Sequence, residues 1–375
     1  MLTLPDALTP DDFLARHWQK APLFLPQALP AGLPQLTADE VAWLATQDDV
    51  ESRLVLTAGH RYQLTHGPFT EDELRVLPAR DWTLLVQDVD KHLPDFRAWF
   101  AAVPFIPDWR IDDLMVSCAA PGGGVGPHRD NYDVFLCQGQ GRREWRLADA
   151  KASRRDTTGT ELSLIEPFTD PHAVLALPGD VLYLPPGIGH WGTAASLCVT
   201  YSIGMRAPTR SEFALGVERE LCRSVLHNAA PQRFYRDADL NAGEAEAGRI
   251  STRALARARA CLAADDGLSD DELARVLVAV VTDPKAWLEP ERTPADVCAA
   301  YLAAAGELPV HGMARLAWTD NGWAGINGHA RPLDTASLRF FRDMCRRRRA
   351  RPAQCPDTTV RDWLLAHAVF TDAGG

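Results

Sequence analysis

Hydrophobic and polar positions follow two different rhythms along the chain, and the change falls near Pro208. Between Thr9 and Lys20, an N-cap candidate and a proline at the first helical position precede Phe13, Leu14 and Trp18 on one face, which predicts a short amphipathic helix. Residues 52–69 and 82–88 carry alternating or apolar strand-like runs, and Asp95 to Ala102 reads as helical. From Ile111 to Arg206 the runs are short and strand-like: Leu114 to Ala119, Tyr132 to Gln138, Arg143 to Leu147, Ala173 to Leu177, Asp180 to Leu184 and Leu197 to Met205. Gly, Pro and Asp turns separate them. Beyond Pro208, Ser211 to Val225 and Ser251 to Ala263 are rich in Ala, Arg, Glu and Leu, and predict helices. Helices are also expected over Ser269 to Val281 and Pro294 to Ala305. Strands over Met313 to Trp318 and Trp323 to Asn327 flank Asp320-Asn321-Gly322, and Asn-Gly between two such runs is a hairpin signal. A helix from Thr335 to Arg347 completes a layout resembling a winged-helix module.

Many short strands punctuated by turns at intervals of roughly 8 to 12 residues suggest a sandwich or barrel. The expected fold class is mainly β plus α: a double-stranded β-helix of the cupin, jelly-roll type, then helices, then a winged helix. The boundaries read as 1–208 for a strand-rich domain with its core over about 95–208, 209–266 for a helical segment, and 267–375 for the winged-helix-like part. A length of 375 residues suits two to three domains at roughly 100 to 200 residues each.

Composition narrows the classes of function. Apolar residues at 46% and charged residues at 24% are ordinary globular usage, which argues against disorder and fibrous structure. A formal charge of −11 disfavours non-specific nucleic-acid binding through the whole surface, leaves room for a local contact without indicating one, and suits a basic substrate. The start of the chain lacks a basic region followed by an apolar core, and no run of about 18 apolar residues occurs, so a soluble cytoplasmic protein without membrane association is expected. The eight cysteines form no C-x-x-C pair and no zinc spacing, which fits a reducing compartment. Cys118, Cys137 and Cys198 lie in apolar runs and are expected to be buried and inert. Arg346 to Arg349 with Arg351 close a helix, where cations complement the macrodipole; a solvated face is expected there, with an RNA contact as the other reading.

The chemistry concentrates in Pro121-Gly-Gly-Gly-Val-Gly-Pro-His128-Arg129-Asp130 and in Pro185-Pro-Gly-Ile-Gly-His190. On a strand, His128 and Asp130 at i and i+2 project to one side and Arg129 to the other. His190 follows the apolar run Asp180 to Leu184, which reads as a short buried strand ending at the same site. Two histidines and one carboxylate on one face of a metal leave the opposite face open, as in non-haem Fe(II) oxygenases. A chelating keto acid there needs a cation at its far end. Gly141-Arg-Arg-Glu-Trp145 follows the turn Gln138 to Gly141, so the strand it begins is expected beside the H-x-D strand, with Arg143 and Trp145 facing inward. A guanidinium can clamp a carboxylate bidentately, which makes Arg143 the candidate for the distal carboxylate of 2-oxoglutarate.

His128-Arg-Asp130, Gly141-Arg-Arg143-Glu-Trp145 and Pro186-Gly-Ile-Gly-His190 resemble the JmjC-type 2-oxoglutarate oxygenases. Asp108 to Ser117 with the glycine-rich turn, Arg16-His-Trp-Gln-Lys20 and Tyr201 to Pro208 look like the bacterial ribosomal oxygenases in particular. The resemblance is strong from about residue 10 to 215; beyond that it rests on layout, and it implies a catalytic domain over 1–208, a helical dimerisation segment over 209–266 and a winged-helix domain over 267–375. It implies Fe(II) as cofactor with 2-oxoglutarate and O2 as co-substrates, and His128, Asp130 and His190 as metal ligands and catalytic residues. It also implies Arg143, Ser117 and Thr200 around 2-oxoglutarate, although Thr200 stands where some relatives have asparagine. Asp113, Met115, Tyr132 and Ser202 fall at substrate-contacting positions, where Asp113 can pair with a guanidinium and Met115 and Tyr132 can flank its methylene stem. Met115 and Tyr132 also read as core residues, and Asp113 as a turn carboxylate. The implied activity is hydroxylation at Cβ of an arginine in a large-subunit ribosomal protein, L-sixteen, by a homodimer. The other readings are a histidine hydroxylase of another ribosomal protein, a small-molecule oxygenase, or a cupin-type sensor acting as a transcription regulator.

Overall fold

Thr9 opens the first helix, α1 (Pro10–Arg16), through a reciprocal cap: its side chain accepts from the Asp12 amide while the Asp12 carboxylate accepts from the Thr9 backbone. The helix stops before the expected Lys20. Gln19 adopts a left-handed conformation with φ 57° and its amide donates to the Tyr183 hydroxyl at 2.8 Å, so a tertiary bond replaces another helical turn. Phe13, Leu14 and Trp18 are nevertheless all fully buried. The same type of reciprocal cap starts α2 (Ala38–Leu44) at Thr37 and α3 (Glu71–Arg75) at Thr70. After α4 (Val89–His92), residues Pro94–Ala102 form nine residues of 3-10 helix, where Asp95 to Ala102 is expected to be helical.

The computed structural model describes residues 1–5, 8–148, 164–168, 173–223, 232–262, 267–288 and 290–371. They divide into two compact units, Met1–Pro104 with Ile111–Met205, and Phe105–Arg110 with Arg206–Gly375. The first unit holds strands β1 (Leu23–Leu25), β2 (Ser52–Ala58), β3 (Arg61–His66), β4 (Trp82–Val86), β5 (Ile111–Ala119), β6 (His128–Arg129), β7 (Val134–Gln140), β8 (Arg143–Leu147), β9 (Val174–Ala176), β10 (Val181–Leu184), β11 (Gly189–Ala194) and β12 (Cys198–Met205). They build an eight-stranded sheet in the order β1-β10-β7-β12-β5-β4-β2-β3 and a four-stranded sheet in the order β6-β11-β8-β9, with antiparallel neighbours throughout. Val134, Leu136, Leu182 and Leu184 of the larger sheet share one apolar cluster with Trp145 and Ala176 of the smaller. The two sheets therefore pack face to face as a double-stranded β-helix.

Two sequence expectations about strands are corrected here. Strand β8 lies beside β11 and β9, not beside the strand carrying His128, because β11 is inserted between them. Gly141, with φ 65°, carries the chain from β7 in the larger sheet to β8 in the smaller one; a Cβ there would meet the Leu197 carbonyl oxygen at 2.0 Å. The other correction concerns H-x-D: only His128 and Arg129 are in β6, and Asp130 follows the strand.

The second unit contains α5 (Arg210–Leu221), α6 (Thr252–Leu262), α7 (Asp270–Thr282), α8 (Ala295–Ala303), α9 (Thr335–Arg347) and α10 (Thr358–Ala366). Its strands are β13 (Arg249–Ile250), β14 (Leu308–Pro309), β15 (Leu316–Thr319), β16 (Trp323–Ile326), β17 (His329–Pro332) and β18 (Arg349–Ala350). The hairpin expected at Asn321-Gly322 joins β15 and β16, and Gly322 has φ 96°. One apolar cluster joins α5, α6 and α7 around Phe213, Ala258 and Leu277, and a second joins β15, β16, α9 and α10 around Trp318, Phe341 and Leu364. Arg346 and Arg347 are tied into surface ion pairs with Asp343 and Glu307. Among the described residues, no helix is long and apolar enough to cross a membrane.

Candidate metal centre

Backbone pairing brings the two histidines together. His128 and His190 are directly opposed across β6 and β11, with ring centroids 4.1 Å apart. The Nδ1 of each ring lies close to the carbonyl oxygen two residues earlier, Gly126 at 2.9 Å and Ile188 at 3.1 Å. Donation from Nδ1 fixes the tautomer and leaves both Nε2 atoms, with their lone pairs, turned towards Asp130. Its carboxylate oxygens lie 4.0 Å from His128 Nε2 and 3.5 Å from His190 Nε2. One ligand atom from each of the three residues lies within 4.8 Å of the others.

The electrostatics favour a ligand set over a charged cluster. Burial, then the neighbouring His128 imidazole, push the His190 pKa down to about 4, so the ring is neutral at ordinary pH. Metal binding needs that form. Two imidazole nitrogens and one carboxylate oxygen fit a divalent iron-type cation with open positions.

The turn before His128 is shaped by close approach. A Cβ on Gly124 would lie 2.4 Å from the Gly192 carbonyl oxygen, and Gly126 has φ 84°, so side chains at either place would displace the histidine strand. On β11, Gly192 leaves room for Trp145, whose ring would be 2.5 Å from an added Cβ.

These residues border a cavity of about 350 Å³, within the range of ligand sites at roughly 300 to 1,000 Å³. His128, Asp130 and His190 stand on its wall with Arg143, Ser117 and Thr200. Asp113, Met115, Tyr132 and Ser202 line the same space. Register explains the convergence: Ser117 is opposite Thr200, Met115 opposite Ser202 and Asp113 opposite Gly204, so alternate residues of β5 and β12 face inward. Asp113 is 6% exposed and Tyr132 is 42% exposed, which places the tyrosine at the rim and removes its core reading.

Arg143 is 5% exposed, and its guanidinium carbon lies 5.7 Å from the Trp145 ring centre. Its Nε and Nη2 are buried without a hydrogen-bond partner among the described residues. A buried, uncompensated cation is costly, so this end of the cavity is built for an anion. The thiols nearby offer no competing chemistry: burial first, and Cys198 second, push Cys118 up to about 12.

Sequence reasoning did not reach the β2 and β4 wall of the cavity, where Arg53, Val55, Thr83, Leu85 and Gln87 face inward. The period-two alternation of Thr83, Leu85 and Gln87 was the available signal.

The JmjC domain family matches residues 99–213, which include the two histidines, Asp130 and Arg143. The chain is 39% identical over 229 residues to the ribosomal protein uL16 3-hydroxylase of Escherichia coli, covering 61% of this chain and 60% of the relative. It is 35% identical over 246 residues to a probable ribosomal oxygenase of Haemophilus influenzae, covering 64% of this chain and 57% of the relative. These alignments thus span less than two thirds of either curated relative. Over whole structures the likeness extends further: the E. coli YcfD crystal structure aligns with TM-score 0.73 at 29% identity, covering 99% of both chains. A structure of that ribosomal oxygenase in complex with cobalt and 2-oxoglutarate aligns with TM-score 0.70 at 29% identity, again over 99% of both.

Proposed function

We propose that this protein is an Fe(II)- and 2-oxoglutarate-dependent dioxygenase that hydroxylates Cβ of an arginine in a large-subunit ribosomal protein, L-sixteen. The observation that carries the reading is the shared cavity: a His128, Asp130, His190 triad at one part of its wall and, at another, the buried Arg143 guanidinium, whose Nε and Nη2 have no hydrogen-bond partner among the described residues. The likeness to the E. coli ribosomal protein uL16 3-hydroxylase and to the ribosomal oxygenase structure in complex with cobalt and 2-oxoglutarate supports it.

In this reading His128, Asp130 and His190 hold the iron, which when bound supplies, with O2 and the keto acid, the oxidising power to insert oxygen into an unactivated C–H bond. Arg143 takes the distal carboxylate of 2-oxoglutarate, and a ligand set of two imidazoles and one carboxylate would leave open positions for its chelating end. Asp113 pairs with the guanidinium of the target, Met115 and Tyr132 flank its methylenes, and Ser202, opposite Met115, closes that side. Holding one C–H bond close to the metal is the protein's share of the rate. The acidic chain favours encounter with a basic ribosomal protein in the cytoplasm. Helices α5 and α6 are read as the dimerisation segment, and the β15–β16 hairpin followed by α9 as the winged-helix part.

The test is to incubate large-subunit ribosomal proteins with this protein, Fe(II) and 2-oxoglutarate in air and map new masses to residues. One added oxygen on an arginine of L-sixteen is expected. Oxygen on a histidine with every arginine unmodified overturns the arginine reading, and no oxygen on any ribosomal protein overturns the substrate class.

A further inference from the structure

Thr200 and Thr83 both present a hydroxyl to the interior, but only one has a proton to spare. Thr200 Oγ1 lies 3.1 Å from Gln138 Oε1, and both residues are buried. The orientation of that amide follows from its other contacts: Gln138 Nε2 donates to the Gln140 carbonyl at 2.7 Å and reaches the Val199 carbonyl at 3.4 Å. Two carbonyls demand the NH2 end there, so Oε1 faces Thr200. An amide oxygen only accepts, so the single Thr200 proton is donated to Gln138. A carboxylate also only accepts. Thr200 therefore has no proton left for an anionic ligand.

Thr83 is in the opposite condition. It is fully buried on β4, lines the same cavity, and its Oγ1 has no hydrogen-bond partner among the described residues. Buried hydroxyls are seldom left unpaired, and a site where one persists is a site where a partner arrives. Register places Thr83 near the arginine. It is opposite Ala119 across β4 and β5, Ala119 packs with Ala194 in one apolar cluster, and Ala194 is opposite Arg143 across β11 and β8. The next inward pair on the same strands is Leu85 with Ser117.

We infer that Thr83 is a binding residue for the distal carboxylate of the co-substrate, donating its hydroxyl proton to the anion that Arg143 holds, while Thr200 serves as a spacer whose proton stays on Gln138. The inference rests on the proposed 2-oxoglutarate site and replaces Thr200 as its hydroxyl donor. Thr83 becomes a determinant of affinity for a dicarboxylate over a monocarboxylate keto acid.

The test is calorimetric titration of 2-oxoglutarate into the Mn(II)-loaded protein, with no turnover required. Thr83→Val keeps the shape, removes an unpaired hydroxyl, and is expected to leave the melting temperature unchanged or raised while weakening 2-oxoglutarate on the order of tenfold. Thr83→Ser should restore affinity to within about threefold, since it returns the donor. Thr200→Val should leave affinity within about threefold but lower the melting temperature, because Gln138 Oε1 loses its donor. Unchanged affinity in Thr83→Val overturns the inference, as does a tenfold loss in Thr200→Val. Arg143→Met separates the two levels: lost binding supports the shared site, whereas unchanged binding overturns the 2-oxoglutarate reading and the inference with it.

Discussion

His128 and His190 are held by one device used twice: each ring is braced through Nδ1 against the carbonyl two residues before it, at 2.9 and 3.1 Å, and the two residues are paired across the β6–β11 ladder. The Nε2 lone pairs are thereby aimed before any ion arrives. His190→Gln should weaken Mn(II) binding by more than about a hundredfold, beyond the 10- to 100-fold typical of losing an outer partner. Titration of the ion into both proteins at neutral pH decides it; equal affinities would remove His190 from the ligand set.

Gly192 is where Trp145 rests, with its ring 2.5 Å from the place a Cβ would occupy. Gly192→Ala should cost about 1 to 3 kcal/mol through forced displacement of the indole, read in chemical denaturation. Because Trp145 and Arg143 share the inner face of β8, 2-oxoglutarate affinity should fall as well.

Arg110 and Asp237 form a fully buried pair, with Nε and Nη2 donating to the two carboxylate oxygens at 2.8 and 3.1 Å. Asp237→Ala strands a guanidinium away from water and should destabilise the second unit by about 3 to 5 kcal/mol. The half-exposed Arg249 and Asp320 pair is the internal control: Asp320→Ala should cost less than about 1 kcal/mol. Similar losses from both would contradict the role assigned to burial.

The His367 and His329 rings lie 4.1 Å apart, centroid to centroid, and are tilted by 35° to each other. Burial, then the His329 imidazole and Arg292, push its pKa down to about 4 from 6.5. Below pH 6.5 the unfolded chain takes up a proton that the folded chain refuses, so stability from this group falls as pH drops from about 6.5 to 4 and changes no further below that. Melting temperatures across this range should decline less steeply in His367→Gln; parallel profiles would refute the assignment.

The site was readable to the extent that its chemistry was concentrated in short motifs. His128-x-Asp130 and the distal His190 stand out through residue types with few other uses, and the inward side of β8 through side-chain alternation. Strand β11 was not seen, because Gly189 to Ala194 has two glycines and no apolar run to mark it. Its insertion between β6 and β8 was equally hidden, since sheet order depends on long-range pairing that local periodicity does not encode. The commitment of Thr200 to Gln138 is another relation of that kind, spanning 62 positions. In the second unit, β17 was missed for its sequence His-Ala-Arg-Pro, which has no strand pattern; the β15–β16 hairpin was found through Asn321-Gly322.

The central claim is that the His128, Asp130, His190 cluster drives keto-acid turnover coupled to a protein substrate. Its most direct measurement is succinate released per target arginine hydroxylated, comparing the unaltered chain with Asp130→Ala under identical Fe(II), 2-oxoglutarate and L-sixteen. The unaltered chain should release one succinate for each oxygen gained, and Asp130→Ala should release none above background. Undiminished succinate formation in Asp130→Ala would contradict the account.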